Sequence, residues 1–264
     1  MKKLLIAGAA LTALVATPAL AADMPLKAPA VVAAAYDWSG FYLGVNGGES
    51  WTRYERDFPY TGAPFLLTGG GAGNHNLSRT DGILGGQIGV QKQWGNIVVG
   101  IEASGDICFN LCTAKLQVGP PAFGAGSMSI VNQNGLLELG GRLGYAQNNW
   151  LFYATGGGAS TRLEDCYGSV ANPVCGAATV LAGASRNTGY YAGGGVETVV
   201  AKGPFADVIL GIEYQHWAVS TKDAVCFNTG CNPRSGGDDT LSARGDLVRA
   251  RLSVKTEGFG FVTR

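Results

Sequence analysis

The sequence contains little charge and, beyond its first residues, no long apolar run. Charged residues make up 14% of the 264 residues, against about 25% in an average protein. Lys and Arg together number 19, as do Asp and Glu, so no basic excess points to nucleic acid. No later segment approaches the ~18 consecutive apolar residues of a membrane helix. The composition therefore argues against a typical soluble surface, nucleic-acid binding and a helical membrane protein.

Signatures of catalysis are also scarce. The chain has two histidines, His75 and His216. No Gly-x-Ser-x-Gly nucleophile elbow occurs, and no Walker lysine follows the glycine-rich segments. The acid–base pair that the sequence offers is His216 with Asp238 or Asp239, but neighbouring loop aspartates are more commonly solvated turn residues. We therefore expect no catalytic residues, no cofactor, no metal site and no enzyme activity.

The N-terminus has the layout of a secretory signal peptide. Lys2 and Lys3 precede an apolar run from Leu4 to Val15, and Ala19-Leu20-Ala21 forms a cleavage site of the Ala-x-Ala type. The alternative, an anchor helix, needs a longer run than this. Removal of residues 1–21 leaves 17 basic and 19 acidic residues, so we expect an exported, mildly acidic protein. Residues 22–36 then form a short periplasmic tether.

The rest of the chain predicts β-structure. It is rich in glycine, with 42 residues, and in β-branched and aromatic residues. Segments in which apolar and polar residues alternate recur along it, as expected for strands. The eight predicted strands are Gly40–Trp51, Ile83–Trp94, Ile97–Ile107, Leu136–Ala146, Trp150–Thr161, Gly189–Val200, Asp207–Val219 and Leu247–Lys255.

The connections between these strands alternate between short and long. Three are hairpin-like turns, at Gly95-Asn96, at residues 147–149 and at residues 201–206. Four are long, at Thr52–Gly82, Cys108–Gly135, Arg162–Thr188 and Ser220–Asp246. None of the ten prolines interrupts a predicted strand, as the missing N–H of proline requires.

An even number of strands with short turns at one end and long loops at the other is typical of a bacterial outer-membrane barrel. The sequence predicts an all-β fold, an eight-stranded antiparallel transmembrane β-barrel over residues 37–255, with periplasmic turns and four extracellular loops. A soluble, lipocalin-like barrel shows the same alternation with its apolar face inward. The low charge favours the membrane form, because a soluble barrel needs charge over its whole exterior.

In the membrane form the charged face of each strand points into the barrel. An eight-stranded interior is filled by side chains, and buried charges require partners. We therefore predict an interior charge network of Glu102, Asp106, Glu138, Arg142, Glu197, Glu213, Arg249, Arg251 and Lys255. Aromatic residues near strand ends are candidates for the interfacial girdles: Trp38, Tyr42, Trp94, Trp150, Tyr153, Phe205 and Trp217.

Several motifs resemble a known family. They are the segment Asp37-Trp38-Ser39-Gly40-Phe41-Tyr42-Leu43-Gly44, residues 85–89 (GGQIG), residues 141–146 (GRLGYA), residues 151–157 (LFYATGG) and residues 193–197 (GGGVE). Together they resemble the small outer-membrane β-barrel (porin-family, OmpA-like) proteins of alphaproteobacteria. The resemblance implies an abundant, non-enzymatic barrel whose partners are outer-membrane lipid and, during biogenesis, the barrel-insertion machinery. It leaves the oligomeric state open.

The C-terminus and the cysteines depart from that family. Members usually end on an aromatic residue shortly after the last strand, whereas residues 256–264 form an extension here. Phe259 and Phe261 have the opposite parity to Val248–Val254, so the strand must bulge near Gly258 or end before it.

The six cysteines fall in the predicted loops, and an exported chain favours disulfides over a zinc site. The pairs closest in sequence are Cys108–Cys112, Cys166–Cys175 and Cys226–Cys231.

The function that the sequence favours is structural: a barrel that contributes to envelope integrity and displays surface loops. A narrow pore for small solutes is the alternative, and a barrel enzyme acting on lipid or peptide is third. Inward Arg142, Arg249 and Arg251 argue against a pore because they would block the interior.

Overall fold

A computed structural model describes residues 36–57, 75–108, 113–118, 127–169, 181–220 and 240–256. These residues contain no helix of the length and hydrophobicity needed to cross a membrane. They form antiparallel strands with the following bounds: β1 Gly40–Asp57, β2 His75–Trp94, β3 Ile97–Cys108, β4 Thr113–Val118, β5 Ser127–Gln147, β6 Trp150–Ser169, β7 Leu181–Lys202, β8 Asp207–Ser220 and β9 Thr240–Thr256.

Eight of these strands close into a barrel, as the sequence predicts. The sheet runs in the order β3-β2-β1-β9-β8-β7-β6-β5, and β3 also pairs with β5 to complete the circle. Ile97 of β3 lies opposite Tyr145 of β5, and Asp106 lies opposite Leu136. The short β4 pairs with the first residues of β5, on the same side of β5 as β3.

One end of the barrel, the turn end, carries the tight connections. Residues 95–96 and 148–149 form two-residue turns, and residues 203–206 connect β7 to β8. Gly95 and Asn148 have positive φ angles of 58° and 54°. This left-handed conformation suits a hairpin turn that follows the twist of its strands, and glycine and asparagine tolerate it best. The three short connections lie where the sequence predicts them.

At the opposite end, the loop end, the strands continue into segments that we predict as long connections. β1 extends to Asp57, β2 begins at His75, β6 extends to Ser169 and β9 begins at Thr240. The prediction that all six cysteines lie outside the strands is therefore wrong for Cys108, the last residue of β3, and for Cys166, within β6. β4 also lies inside the predicted connection Cys108–Gly135.

At the loop end the alternation of apolar and polar residues is reversed with respect to the two faces of the barrel wall. This reversal explains these errors. There several inward positions are apolar, including the buried Tyr54, Leu77 and Leu241. The outward positions include the exposed polar residues Arg53, Ser78 and Arg244, as on a soluble barrel. In β5 a bulge between Asn134 and Leu137 also shifts the alternation by one residue. Gly135, with a φ of 65°, forms that bulge. A prediction that requires an apolar outward face therefore makes these strands too short at the loop end.

Around its middle the barrel carries an apolar belt on the outside. Ile101, Leu139 and Ile212 are 62%, 66% and 60% exposed. The outward charges at the edges of the belt on β1 and β2 are Glu49 and Lys92. Gln91 pairs with Gly40, so Lys92 lies opposite residue 39 of the neighbouring chain segment. Counted along that segment and β1, the distance from the level of Lys92 to Glu49 is ten residues. At ~3.3 Å per residue and a strand tilt of about 40°, this span is about 25 Å high.

Exposed aromatic residues border the belt at both edges. Trp94, Trp150 and Phe205 lie outward at the turn end, as predicted. The prediction of girdle positions is wrong for Trp38, Tyr42, Tyr153 and Trp217, which are all buried inside the barrel. Side chains along a strand point alternately outward and inward. Tyr153 directly follows the outward Phe152, which lies two residues after the outward Trp150, so its side chain points inward. Outward Trp51, Tyr190 and Tyr214 border the belt on the loop side.

The interior is layered. A loop-end apolar core contains Tyr54, Leu163, Trp217 and Leu241 among its buried residues. A turn-end aromatic core contains Tyr36, Trp38 and Tyr153 with four smaller apolar residues. Buried charged side chains lie between the two cores, and we call the eight that ion-pair with one another the central charge cluster: Glu102, Asp106, Glu138, Arg142, Glu197, Glu213, Arg249 and Arg251.

The chain enters the barrel earlier than the predicted boundary at residue 37. Tyr36, the last residue of the predicted tether, is 6% exposed, and its hydroxyl donates to Asp207 Oδ2 at 2.7 Å. Its ring contacts that of Trp38 edge-to-face at 5.0 Å. At the other terminus the described part of β9 extends to Thr256, so the predicted parity change near Gly258 lies beyond it. The predicted signal peptide, the rest of the tether and residues 257–264 lie outside the described residues.

Candidate functional site

The site that sequence analysis singles out is the charged interior, and Arg249 lies at its centre. The guanidinium of Arg249 approaches three carboxylates from three other strands. Nη1 lies 2.7 Å from Asp106 Oδ2, while Nη2 lies 2.7 Å from Glu213 Oε1 and 3.2 Å from Glu138 Oε2. The planar fork of arginine suits such multiple contacts. One side chain of β9 thus ties together β3, β5 and β8.

Arg251, two residues further along β9, forms the second node of the cluster. Its Nη1 lies 2.6 Å from Glu213 Oε2, and its Nη2 pairs with Glu102 Oε2. Its Nε lies 3.4 Å from Glu197 Oε1. Glu213 is therefore shared between the two arginines, with one oxygen facing each. Because Arg249 and Arg251 have the same parity on one strand, both point inward and can share this carboxylate.

Arg142 of β5 is the third cation of the cluster and lies among aromatic rings. Its Nη2 is 2.5 Å from Glu197 Oε2. Its guanidinium carbon lies 3.6 Å from the centre of the Tyr153 ring and 5.5 Å from that of Tyr42. The two hydroxyls donate to carboxylates, Tyr42 to Glu102 at 2.6 Å and Tyr153 to Glu213 at 2.7 Å. The sequence predicts both tyrosines as outward girdle residues, whereas the structure places them inside the barrel.

Lys255 is buried but lies apart from the cluster. Its Nζ donates to the backbone carbonyls of Asp37 and Ser39, the latter at 3.2 Å, and lies 4.4 Å from the centre of the Tyr36 ring. The structure thus brings eight of the nine predicted interior charges into one cluster. It places the ninth at the turn end, where Lys255 links the last strand to the segment that precedes the first.

Buried side chains occupy the interior of the described barrel. A cavity of about 10 Å³ lies among them, beside Cys108, Gln133 and Trp217. That is about the room that one water molecule occupies. The two apolar cores and the central charge cluster fill successive levels of the lumen. In its described part, the barrel thus encloses a packed core.

A second cluster of polar residues lies on the outside, at the loop-end edge of the belt. His216 Nδ1 lies 2.9 Å from Asp246 Oδ1, and the Tyr214 hydroxyl donates to the same oxygen at 2.7 Å. These two hydrogen bonds, with His216 first in importance, lower the pKa of Asp246 below its usual 3.8. The partner of His216 is thus Asp246; Asp238 and Asp239 lie outside the described residues. A surface cavity of about 460 Å³ adjoins this cluster.

His216 has no evident nucleophile among the described residues around it. Ser78 and Thr80 line the same cavity, but both belong to β2. Thr80 pairs with Trp51, Trp51 with Asp246, and Asp246 with His216, so three strand spacings separate Thr80 from His216. At ~4.8 Å per spacing, this is about 14 Å. A serine-type or threonine-type triad needs hydrogen-bond contact instead.

The predicted disulfide candidates are only partly covered by the described residues. Cys108 is disulfide-bonded. The backbone of Cys166 pairs with Ile130 on one side and Ala182 on the other. Cys112, Cys175, Cys226 and Cys231 lie outside the described residues. The pairing within each loop therefore stays a prediction.

Comparison with known proteins is confined to the fold. No family model and no curated protein match the sequence. The outer membrane protein OprG from Pseudomonas aeruginosa aligns at a TM-score of 0.44 and 13% identity, over 83% of this chain and 96% of that one. The outer membrane protease OmpT from Escherichia coli aligns at 0.43 and 9% identity, over 84% and 98%. Ail, the attachment invasion locus protein of Yersinia pestis, aligns at 0.31 and 10%, over 80% and 99%. Since all three scores lie below 0.5, these similarities do not indicate what this protein binds or does.

Proposed function

We propose that this protein is a bacterial outer-membrane barrel whose function is structural. The observation that carries the proposal is the apolar belt, which lies on the outside of a closed barrel and is about 25 Å high, the height that lipid requires. Below and above it are exposed aromatic residues, including Trp94 and Trp51. The predicted signal peptide and the resemblance to alphaproteobacterial porin-family barrels support the same placement.

The packed interior supports a structural role over a narrow pore for small solutes. A solute path would have to pass two apolar cores and a level occupied by three arginines and five carboxylates. Moving Arg249 aside would separate it from Asp106, Glu138 and Glu213. Separating buried ion pairs costs several kcal/mol. The pore therefore remains the second candidate.

A barrel enzyme acting on lipid or peptide is the third candidate, and the described geometry gives it less support. His216 and Asp246 form a pair of the type used in general acid–base catalysis. Their side chains are 41% and 46% exposed, so the pair lies in water rather than in a desolvated cleft. The distance to Thr80 leaves the pair without a positioned nucleophile. We propose that this pair stabilises the rim of the barrel.

The membrane placement is tested by heat-modifiable gel mobility together with membrane partitioning. A folded outer-membrane barrel migrates differently in an unboiled sample, and we expect this protein to do so after detergent extraction from the membrane fraction. Recovery in the soluble periplasmic fraction, with one mobility before and after boiling, would overturn the proposal. Depletion of the barrel-insertion machinery, the proposed biogenesis partner, is expected to remove the heat-modifiable form.

The orientation is tested separately by labelling. We propose that the turn end faces the periplasm, with Asn96, Asn148 and Lys202, and that His75, Pro121, Asn172 and Pro233 face the exterior. Single reporter cysteines in a background without native cysteines would be labelled in intact cells by an impermeant reagent. Labelling at position 148 but not at position 172 would reverse the assignment.

A further inference from the structure

Two arginines face each other across the seam between the first and last strands. Arg53 of β1 is the direct partner of Arg244 of β9, and both side chains are exposed on the outward face. Like charges directly opposite each other destabilise a sheet. The pair lies one outward position beyond Trp51 on β1, immediately past the edge of the apolar belt. Such an arrangement is stabilised when an anion lies between the two guanidinium groups.

The acids whose side chains the structure describes neutralise this pair only in part. Glu55 Oε1 pairs with Arg244 Nη2. No ion pair joins Arg53 to another of the described residues. Asp246 accepts hydrogen bonds from His216 and Tyr214 on one of its oxygens. A guanidinium has five N–H donors, so Arg244 retains donors for a second acceptor while it contacts Glu55.

The surface between the two arginines is concave and otherwise suited to phosphate. Both line the cavity of about 460 Å³, together with the hydroxyl-bearing Ser78 and Thr80 and the indole of Trp51. Arginine pairs and hydroxyl groups are the donors that bind phosphate oxygens most effectively. The aromatic wall borders the region where acyl chains would end. A ligand with a phosphate group above an apolar tail fits both features.

We propose that Arg53 and Arg244 form a binding site for the phosphate of a lipid headgroup, in the membrane leaflet at the loop end of the barrel. The inference rests on the proposed membrane placement, because that placement brings headgroups to the level of the cavity. The site ties one lipid to the β1–β9 seam, where the barrel closes. It also gives the pair of like charges an anion in addition to Glu55, the acid that pairs with Arg244 among the described residues.

The structure offers a way to observe this site alone. Trp38 and Trp217 are buried in the interior, while Trp51, Trp94 and Trp150 face outward. In a W94F/W150F background, Trp51 is the outward tryptophan. Quenching of its fluorescence by lipids with brominated acyl chains then reports which lipid lies next to the cavity. The two lipids compared are brominated phosphatidic acid, with a phosphate monoester, and brominated phosphatidylcholine, with a zwitterionic headgroup.

We expect phosphatidic acid to be preferred at Trp51 by at least about fivefold, the factor associated with one well-placed cation at an anionic surface. The R53Q/R244Q variant should lose that preference. The matched control is R162Q/R186Q, which removes the other directly opposed outward pair, Arg162 and Arg186. The control should keep the preference, because neither of its arginines lines the cavity. Unboiled gel mobility checks that every variant is folded.

The alternative outcomes of this experiment contradict different parts of the proposal. Equal quenching by both lipids in the parent protein would overturn the site, as would an equal loss of preference in the control, which would indicate a general charge effect. Loss of the preference on addition of millimolar inorganic phosphate would point to a site for free phosphate instead of a headgroup. Absence of quenching by either lipid would contradict the membrane placement itself.

Discussion

Arg249 and Glu213 face each other at the centre of the barrel, with Nη2 2.7 Å from Oε1 and neither side chain exposed. Glu213 also contacts Arg251, so one carboxylate joins two arginines of the last strand. Removal of one partner from a buried ion pair leaves an uncompensated charge, which costs more than the pair itself contributes. The central charge cluster is therefore sensitive to the loss of any single member.

The first prediction follows from this sensitivity. R249L should lower the free energy of unfolding by about 3–5 kcal/mol, because Asp106, Glu138 and Glu213 would lose their common partner. The measurement is urea unfolding in lipid, followed by heat-modifiable mobility. The control is R162Q, which removes a side chain that is 60% exposed and should change stability by less than about 1 kcal/mol. Equal effects of the two variants would contradict the account.

The second prediction concerns two neighbouring glycines that face opposite sides of the barrel wall. A Cβ at Gly157 would overlap with the carbonyl oxygen of Leu139, whereas a Cβ at Gly141 would meet nothing within 4 Å. G157A should destabilise the barrel by about 1–3 kcal/mol, since the strands must move apart. G141A should change stability by less than about 0.5 kcal/mol. Urea midpoints of the two variants compare them directly, and a larger effect of G141A would be inconsistent with the described strand packing.

The third prediction concerns pH at the outer rim. Hydrogen bonds from His216 and Tyr214 lower the pKa of Asp246 in the folded state. The ionised form is therefore favoured by folding, and its contribution is present above the usual pKa of 3.8 and is lost as the pH falls through the folded-state value. An NMR titration of the Asp246 carboxyl carbon in micelles should give a midpoint below 3.8, and Y214F should raise it. A midpoint at or above 3.8 in the parent protein would show that these hydrogen bonds do not form.

The fourth prediction concerns the disulfides. A bridge that closes a loop of about four to ten residues contributes ~2–3 kcal/mol by the chain-entropy estimate, while the closed ladder and lipid hold the barrel. Replacement of all six cysteines by serine should leave heat-modifiable folding intact and increase protease cleavage at the loop end. Non-reducing peptide mapping tests the proposed pairs Cys108–Cys112, Cys166–Cys175 and Cys226–Cys231. A bridge between two different loops, such as Cys112 with Cys166, would refute them.

The belt region is the part of the fold that the sequence predicts well. On β9, Val248, Leu252 and Val254 face outward while Arg249 and Arg251 are buried, as alternation indicates. The loop end could not be predicted from the same rule, because Tyr54 and Leu241 place apolar side chains inside. At the level where lipid would give way to water, the outward face of the strands changes from apolar to polar.

The interior illustrates a second limit of sequence reasoning. Inward charges are recognised because they alternate with apolar residues, but an inward tyrosine looks like one more apolar residue. Tyr42 and Tyr153 show their role only through parity: each shares the parity of an inward residue on its strand, Asn46 and Thr155. Tyr36 carries no such signal because it precedes β1, and contacts such as those with Asp207 and Lys255 reveal that it lies at the turn end of the barrel.

The central claim is that the barrel is a closed structural element whose lumen is filled. The most direct test is single-channel recording of the purified monomer in a planar bilayer. Because eight strands leave an interior just wide enough for side chains, we expect the conductance to remain near the baseline. Large, stable, ohmic steps that persist after truncation of the loops would contradict the account and would establish the pore.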